Sequence, residues 1–246
     1  MARVVLVVPC YNEEKRLDAD AFANYSLPGH FVDFRFVDDG STDGTARVLE
    51  SIRDRRGGVA VQRLEKNSGK AEAVRSGFVA AAKEKPDYIG YWDADLAAPL
   101  SALVDFVALA ESRPDVDIVF GSRVKLMGRS IERLAWRHYL GRLSATLVSM
   151  TLKLPIYDTQ CGHKLFRATD LLARVFEDRF LTNWLFDVEI LARFLTMDPK
   201  GRDHAARSIY EYPLKQWVDV RGSKVKPHDF ALALRDLATI KRNYRL

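Results

Sequence analysis

Five short apolar runs separated by helical patterns fill the first 120 residues, and no other feature constrains the fold as much. Residues 4–8 carry four valines and stop at Pro9, which reads as a strand buried on both faces. Similar runs recur at 34–37, 59–64, 88–92 and 116–120. Between them, residues 45–54, 70–83 and 99–112 have helical spacing, with Thr42, Asp43 and Ser101 as candidate starts. The alternation predicts an α/β fold with a mostly parallel central sheet flanked by helices. In the second half, 129–154 reads as one long helix or two joined ones. Residues 168–176 and 184–196 read as further helices, and 209–213 as a strand. Residues 230–241, with Phe230, Leu234, Leu237 and Ile240 at helical spacing, read as an amphipathic helix. No repeat or Pro/Gly/Ser linker interrupts the 246 residues, so a single domain over 1–246 is expected.

In such a sheet, ligands bind beyond the carboxyl ends of the strands. Those ends are acidic here. The first runs into Pro9, Cys10, Tyr11, Asn12, Glu13 and Glu14, the second into Asp38, Asp39, Gly40, Ser41 and Thr42, and the fourth into Asp93, Ala94 and Asp95. On an extended chain Asp93 and Asp95 point the same way, and two hard oxygen donors suit Mg²⁺ or Mn²⁺ that takes its other ligands from water and phosphate. Turn chemistry accounts for part of the Asp38–Asp39 pair, one carboxylate bracing the loop while the other meets ligand. No Gly-x-Gly-x-x-Gly follows the first strand, which argues against a dinucleotide-binding domain. A P-loop is excluded, because Leu64 and Ala71 stand where its first glycine and its Ser/Thr belong. Lys70 still sits at a helix start after a glycine, where phosphate could meet it.

Charge and cysteine content narrow the classes further. The chain has 38 Lys and Arg against 33 Asp and Glu, a net +5. Residues 121–157 contain seven cations and one anion, so this segment carries +6 and the remainder −1. Such a local field has an anionic target. Arg129, Arg133 and Arg137 recur every four residues, which would make one helical stripe, and Leu143, Leu147, Met150 and Leu154 follow at similar spacing. Cations beside an apolar strip suit either a solvated charged face backed by core packing or a lipid phosphate at a membrane surface. The apolar runs fall far short of the roughly 20 residues of a spanning helix, and the N-terminal run is too short for a secretory leader. Two cysteines, Cys10 and Cys161, exclude a disulfide framework and make a reducing cytoplasm the simplest location. No nucleic-acid-binding motif is present.

Taken together, VVPCYNEE (residues 7–14), FVDDGSTDGT (36–45), NSGKAEAVRSGF (67–78), DAD (93–95) and GSR (121–123) resemble glycosyltransferase family 2, the inverting, metal-dependent enzymes of the GT-A fold. DTQCGHKLF (158–166), WLFDVEIL (184–191) and RGSKVK (221–226) are similar to its dolichyl-phosphate glucosyltransferase branch, close to the dolichol-phosphate mannose synthases. The resemblance implies transfer of a hexose, glucose by the branch, from a UDP- or GDP-sugar to a polyprenyl phosphate. It implies that Pro9, Tyr11, Asn12, Glu13, Asp39, Ser41 and Lys70 hold the donor, with Asp93, Ala94 and Asp95 at metal and diphosphate. Arg123, with Gly121 and Ser122, would border the sugar and acceptor phosphate. Gln160, Lys164, Ser223 and Lys224 would serve the phosphates, joined by Arg133 and Arg137 of the basic segment. Asp158 and Asp187 join Asp93 and Asp95 as catalytic candidates, and the sequence does not choose which of the two orients groups or acts as base. His163 stands where the branch usually has Phe, and reads as a wall residue; Ala97 replaces a Gln that relatives use on the metal. Many relatives carry membrane helices, so contact here is expected to be peripheral, at the inner face, or through a membrane-protein partner.

The acceptor would be a phosphate monoester, largely dianionic at neutral pH, so no strong general base is required. Transfer to a sugar or protein hydroxyl would require one. That transfer, and a non-catalytic nucleotide-sugar binder, are the competing functions.

Overall fold

The computed structural model describes residues 1–132, 135–218 and 229–245, with only the backbone described at 135–140, 143 and 229–231. Its strands are β1 (Arg3–Cys10), β2 (Phe31–Asp38), β3 (Val59–Arg63), β4 (Tyr88–Trp92), β5 (Ile118–Ser122), β6 (Ser130–Glu132), β7 (His163–Arg167), β8 (Ile209–Pro213) and β9 (Gln216–Val218). The helices are α1 (Ala19–Asn24), α2 (Thr45–Arg55), α3 (Lys70–Ala82), α4 (Ala102–Ser112), α5 (Ala135–Leu152), α6 (Asp170–Glu177), α7 (Phe186–Met197), α8 (Arg202–Arg207) and α9 (Asp229–Tyr244).

Seven strands form one sheet in the order β3-β2-β1-β4-β7-β5-β8, while β6 and β9 pair as a separate ribbon. Only β7 runs against its neighbours in the large sheet, pairing antiparallel with both β4 and β5. The carboxyl ends of β1, β2, β4, β5 and β8 therefore share one edge with the start of β7. Side-chain alternation explains the unbroken apolar runs. Val4, Leu6 and Val8 face a core shared with α1, α2 and α4, whereas Val5 and Val7 face a second core shared with α3, α6 and α7. Tyr88 and Trp92 of β4 enter the first core, Ile89 and Tyr91 the second. Gly90 lies between them because a Cβ there would stand 2.6 Å from the Lys164 carbonyl carried on β7.

Several expectations are corrected. β1 continues through Pro9, which pairs with Val37 in register. Arg129 precedes the short strand β6 and is not on a helix, so the three-arginine stripe does not form; α5 begins at Ala135. Of the apolar strip after it, Leu154 is buried, Leu147 half-buried and Met150 71% exposed, Leu143 lies outside the described side chains, and the buried face of α5 runs instead through Val148 and Leu152. On α9 the buried positions among the described side chains are Ala233, Asp236 and Ile240, with Leu237 packed beside them and Leu234 pointing outward, while Phe230 lies outside the described side chains. No helix among the described residues is long and apolar enough to cross a membrane.

Candidate active site

The first two strand-end loops are latched to each other. The Asn12 N–H donates to Ser41 Oγ at 3.0 Å, and the Thr42 N–H donates to Asn12 Oδ1 at 2.9 Å. Asn12 takes a φ of 51° to make this turn, a conformation Asn tolerates better than most residues. Asp38 accepts from the Ser41 N–H at 2.9 Å. Asp39 is also a brace: its two oxygens accept the N–H groups of Ser68 (2.7 Å) and Gly69 (2.8 Å), fixing the loop that opens α3. Burial raises the Asp39 pKa, and these two bonds oppose the rise. Gly40, at φ +68°, lies so close to the chain at Lys66 and Asn67 that no Cβ fits. Pro9 and Tyr11 are half-buried beside this loop pair.

Beyond β4 the chain turns at once, the Leu96 N–H donating to the Asp93 carbonyl at 3.2 Å. Asp93 and Asp95 thus converge through a turn and not through strand alternation, with Ala94 buried between them. Lys70 Nζ lies 2.5 Å from Asp93, and Arg16 Nη1 lies 4.0 Å from Asp95. Arg16 is itself held by both oxygens of Glu13, at 2.5 and 2.8 Å. The sequence reading missed Arg16; its i+3 spacing from Glu13 was the available signal. Gly162 packs directly on the Asp93 carboxylate, where a Cβ would fall 1.9 Å from Oδ2. Burial pushes the Asp93 pKa up, but Lys70 and the neighbouring cations outweigh it and the net shift is downward. Asp95 moves the other way, raised by burial and then by the charge of Asp93.

Could this pair hold a metal? No group of three His, Cys, Asp or Glu side chains among the described residues is placed to bind one. Two adjacent carboxylates whose charge already attracts two side-chain cations do fit a divalent ion that draws its remaining ligands from phosphate oxygens and water.

Toward β5 and β7 the site rests on two charged groupings. Arg123 forks onto Asp158, with Nε and Nη2 at 2.6 and 2.7 Å, and its backbone N–H reaches the same carboxylate at 3.1 Å. The guanidinium also lies over Trp217, 5.3 Å from the ring centre. Glu211 of β8 fixes the Asp158 backbone by accepting the N–H groups of Tyr157 and Asp158, at 2.9 and 2.7 Å. Sequence reasoning did not single out Glu211, which lies 53 residues away from Asp158 along the chain. Lys164 is 1% exposed and donates to the Tyr91 hydroxyl, the carbonyls of Thr159 and Cys161, and Asp187 Oδ1, all between 2.6 and 3.0 Å. The Tyr91 hydroxyl donates to the same Asp187 oxygen. Lys164 and Asp187 are therefore turned inward, tying the loop before β7 to α7. Gln160, in that loop, is half-buried, and its Nε2 finds no hydrogen-bond acceptor among the described residues.

His163 packs edge-on against Trp92 at 4.6 Å, with Nδ1 3.5 Å from Cys161 Sγ. Burial holds its pKa down at about 3, so it is neutral in the folded protein. Its folded value lies below the unfolded one near 6.5, so the unfolded chain takes up a proton first and stability falls as pH drops from about 6.5 toward 3, by up to roughly 1.4 kcal/mol per pH unit. Urea melts between pH 7 and 5, above most carboxylate titrations, should show this slope, and His163→Phe should flatten it. An unchanged slope in the variant would refute the assignment.

Four sequence-predicted residues lie outside the described side chains: Arg133, Arg137, Ser223 and Lys224. The others gather at one sheet edge, Asp39, Lys70, Asp93 and Asp95 toward the ends of β1, β2 and β4 and Arg123, Asp158, Gln160, Lys164 and Asp187 toward β5 and β7.

A family model described as Glycosyl transferase family 2 matches residues 5–176. The Homo sapiens protein named dolichyl-phosphate beta-glucosyltransferase is 33% identical over 97% of this chain and 75% of its own length. Its Saccharomyces cerevisiae counterpart is 30% identical over 98% and 75%. Among solved structures, Mycobacterium tuberculosis glucosyl-3-phosphoglycerate synthase in complex with Mn²⁺, UDP and phosphoglyceric acid superimposes with a TM-score of 0.67 at 19% identity, over 99% of this chain and 78% of that one. Staphylococcus aureus TarS (1–349) with UDP gives a TM-score of 0.59 at 19% identity, over 99% and 67%. These two likenesses establish the fold.

Proposed function

The chain belongs to glycosyltransferase family 2, and from that membership we propose that it transfers glucose from a nucleotide sugar to a dolichyl-type polyprenyl phosphate, inverting the anomeric carbon. The observation that carries this reading is the likeness to dolichyl-phosphate beta-glucosyltransferases along almost the whole chain. The site's chemistry agrees with it. The loops braced by Asp39 and Asn12 form the donor side, and Lys70 at the amino end of α3 receives diphosphate charge. Asp93 and Asp95 would hold Mg²⁺ or Mn²⁺, which supplies the Lewis acid that neutralises the departing diphosphate. Arg16, fixed by Glu13, keeps a cation beside Asp95.

Arg123 lies within electrostatic reach of Asp93. Asp158 and Trp217 fix its plane, so its cation is preset for the acceptor phosphate at the sugar's far side. A phosphate dianion is already a nucleophile, and the enclosure of Asp187 by Lys164 and Tyr91 favours this reaction over one that needs a carboxylate to take a hydroxyl proton. We further propose that the protein works peripherally at the cytoplasmic face of a membrane, where its two free buried cysteines stay reduced.

The test compares short-chain polyprenyl phosphate with the matching alcohol, using glucose and mannose donors linked to UDP or GDP. A β-linked glucosyl phosphate lipid formed only from the phosphate is expected. Equal transfer to the alcohol, or an α-linked product, would reject the reading.

A further inference from the structure

We infer that residues 125–129, the loop between β5 and β6, insert into the surface of an anionic bilayer and present the acceptor side of the site to a membrane-held lipid; this rests on the lipid-phosphate reading given above. Met127 is fully exposed and Leu126 is 48% exposed, side by side at the loop tip. Gly128, at φ +79°, closes the turn, and the Arg129 N–H donates to the Leu126 carbonyl at 3.1 Å. Among the described residues Met127 packs against nothing, and Leu126 leaves about half of its surface open. Exposed Lys125 and half-buried Arg129 flank them, which is the order of an apolar wedge between cations that anionic head groups attract. Lys215 adds a third cation near Arg129, partly countered by Asp105 at 2.6 Å, and Glu132 is the exposed acid of the adjoining ribbon.

The base of the wedge is rigid. The Ser130 N–H donates to the Lys215 carbonyl at 2.9 Å, β6 pairs with β9, and Arg123 is clamped by Asp158 and Trp217. The tip begins three residues beyond Arg123, so even an extended chain keeps it within roughly 14 Å of that guanidinium's backbone. Insertion there would bring the acceptor side of the site to head-group depth.

The test uses the whole protein and vesicles of phosphatidylcholine with or without phosphatidylglycerol. Native Cys10 and Cys161 are buried, so an environment-sensitive dye attached to Met127→Cys reports the loop alone. Its emission should shift to the blue when phosphatidylglycerol vesicles are added. Leu126→Asp with Met127→Asp should weaken vesicle binding roughly 100-fold, the loss expected for two apolar side chains. That double variant should lose turnover of long-chain polyprenyl phosphate held in vesicles and keep turnover of a short-chain acceptor in free solution. Vesicle binding within about threefold of the parent's, or an unshifted dye, would overturn the inference. Failure of the parent itself on the short-chain acceptor would instead count against the lipid-phosphate reading, with vesicle binding still deciding the role of the loop.

Discussion

Asp93→Asn is expected to lower kcat by roughly a thousandfold or more, because Lewis-acid stabilisation of a departing diphosphate supplies several kcal/mol. The substitution removes one of two adjacent carboxylates and also releases Lys70, which stands 2.5 Å from Asp93. Lys70 is 40% exposed, so losing that ion pair costs little stability, and the variant should melt close to the parent. The effect is therefore separable: turnover collapses in a folded protein. Measured by single-turnover kinetics at saturating donor, a kcat within about tenfold of the parent would show that Asp93 carries no catalytic load. Asp95→Asn should produce a similar loss and abolish the dependence of donor binding on added metal.

Asp187→Ala should be a stability variant before it is anything else. Asp187 and Lys164 are 3% and 1% exposed, and removing the carboxylate leaves a buried ammonium with only neutral partners. Breaking such a pair costs about 3–5 kcal/mol, which for a chain of this size lowers Tm by roughly 10 °C. Asp187→Asn retains the shape and can still accept the Tyr91 hydroxyl and Lys164 bonds, so it should recover part of that loss. It should also keep the parent's pH–rate profile, since a positioning role does not put a titrating group into the reaction. A Tm unchanged in Asp187→Ala, or the loss of the acidic limb from the profile in Asp187→Asn, would assign Asp187 to proton transfer as a base instead.

The first half of the fold was legible because β1, β4 and β5 are buried on both faces. Val4 to Val8 alternate between two cores, so every position is apolar and the run stands out. β7 was hidden for the opposite reason: HKLFR buries His163 and Lys164 in a central strand, and polar residues in that pattern read as loop. The arginine stripe failed because i+4 spacing implies a helix only where a helix exists, and Arg129 leads into the ribbon strand β6. Within the site, clustered acids at strand ends exposed Asp39, Asp93 and Asp95. Their partners depend on pairings far apart in sequence, such as Glu211 with the Asp158 backbone and Lys164 with Asp187, for which the chain carries no local signal. Asp38 and Asp39 show how much turn chemistry such a pair carries: both carboxylates accept loop N–H groups.

The central claim is that the acidic edge formed by Asp93 and Asp95 drives glucose transfer to a lipid phosphate. It is tested most directly by incubating the protein with labelled UDP- or GDP-glucose, Mg²⁺ or Mn²⁺ and a short-chain polyprenyl phosphate, then counting label in the organic phase. Label that appears with metal, vanishes with a chelator and vanishes in Asp93→Asn is the predicted result. Absence of organic-phase label with every donor and both metals, or label undiminished in Asp93→Asn, would contradict it.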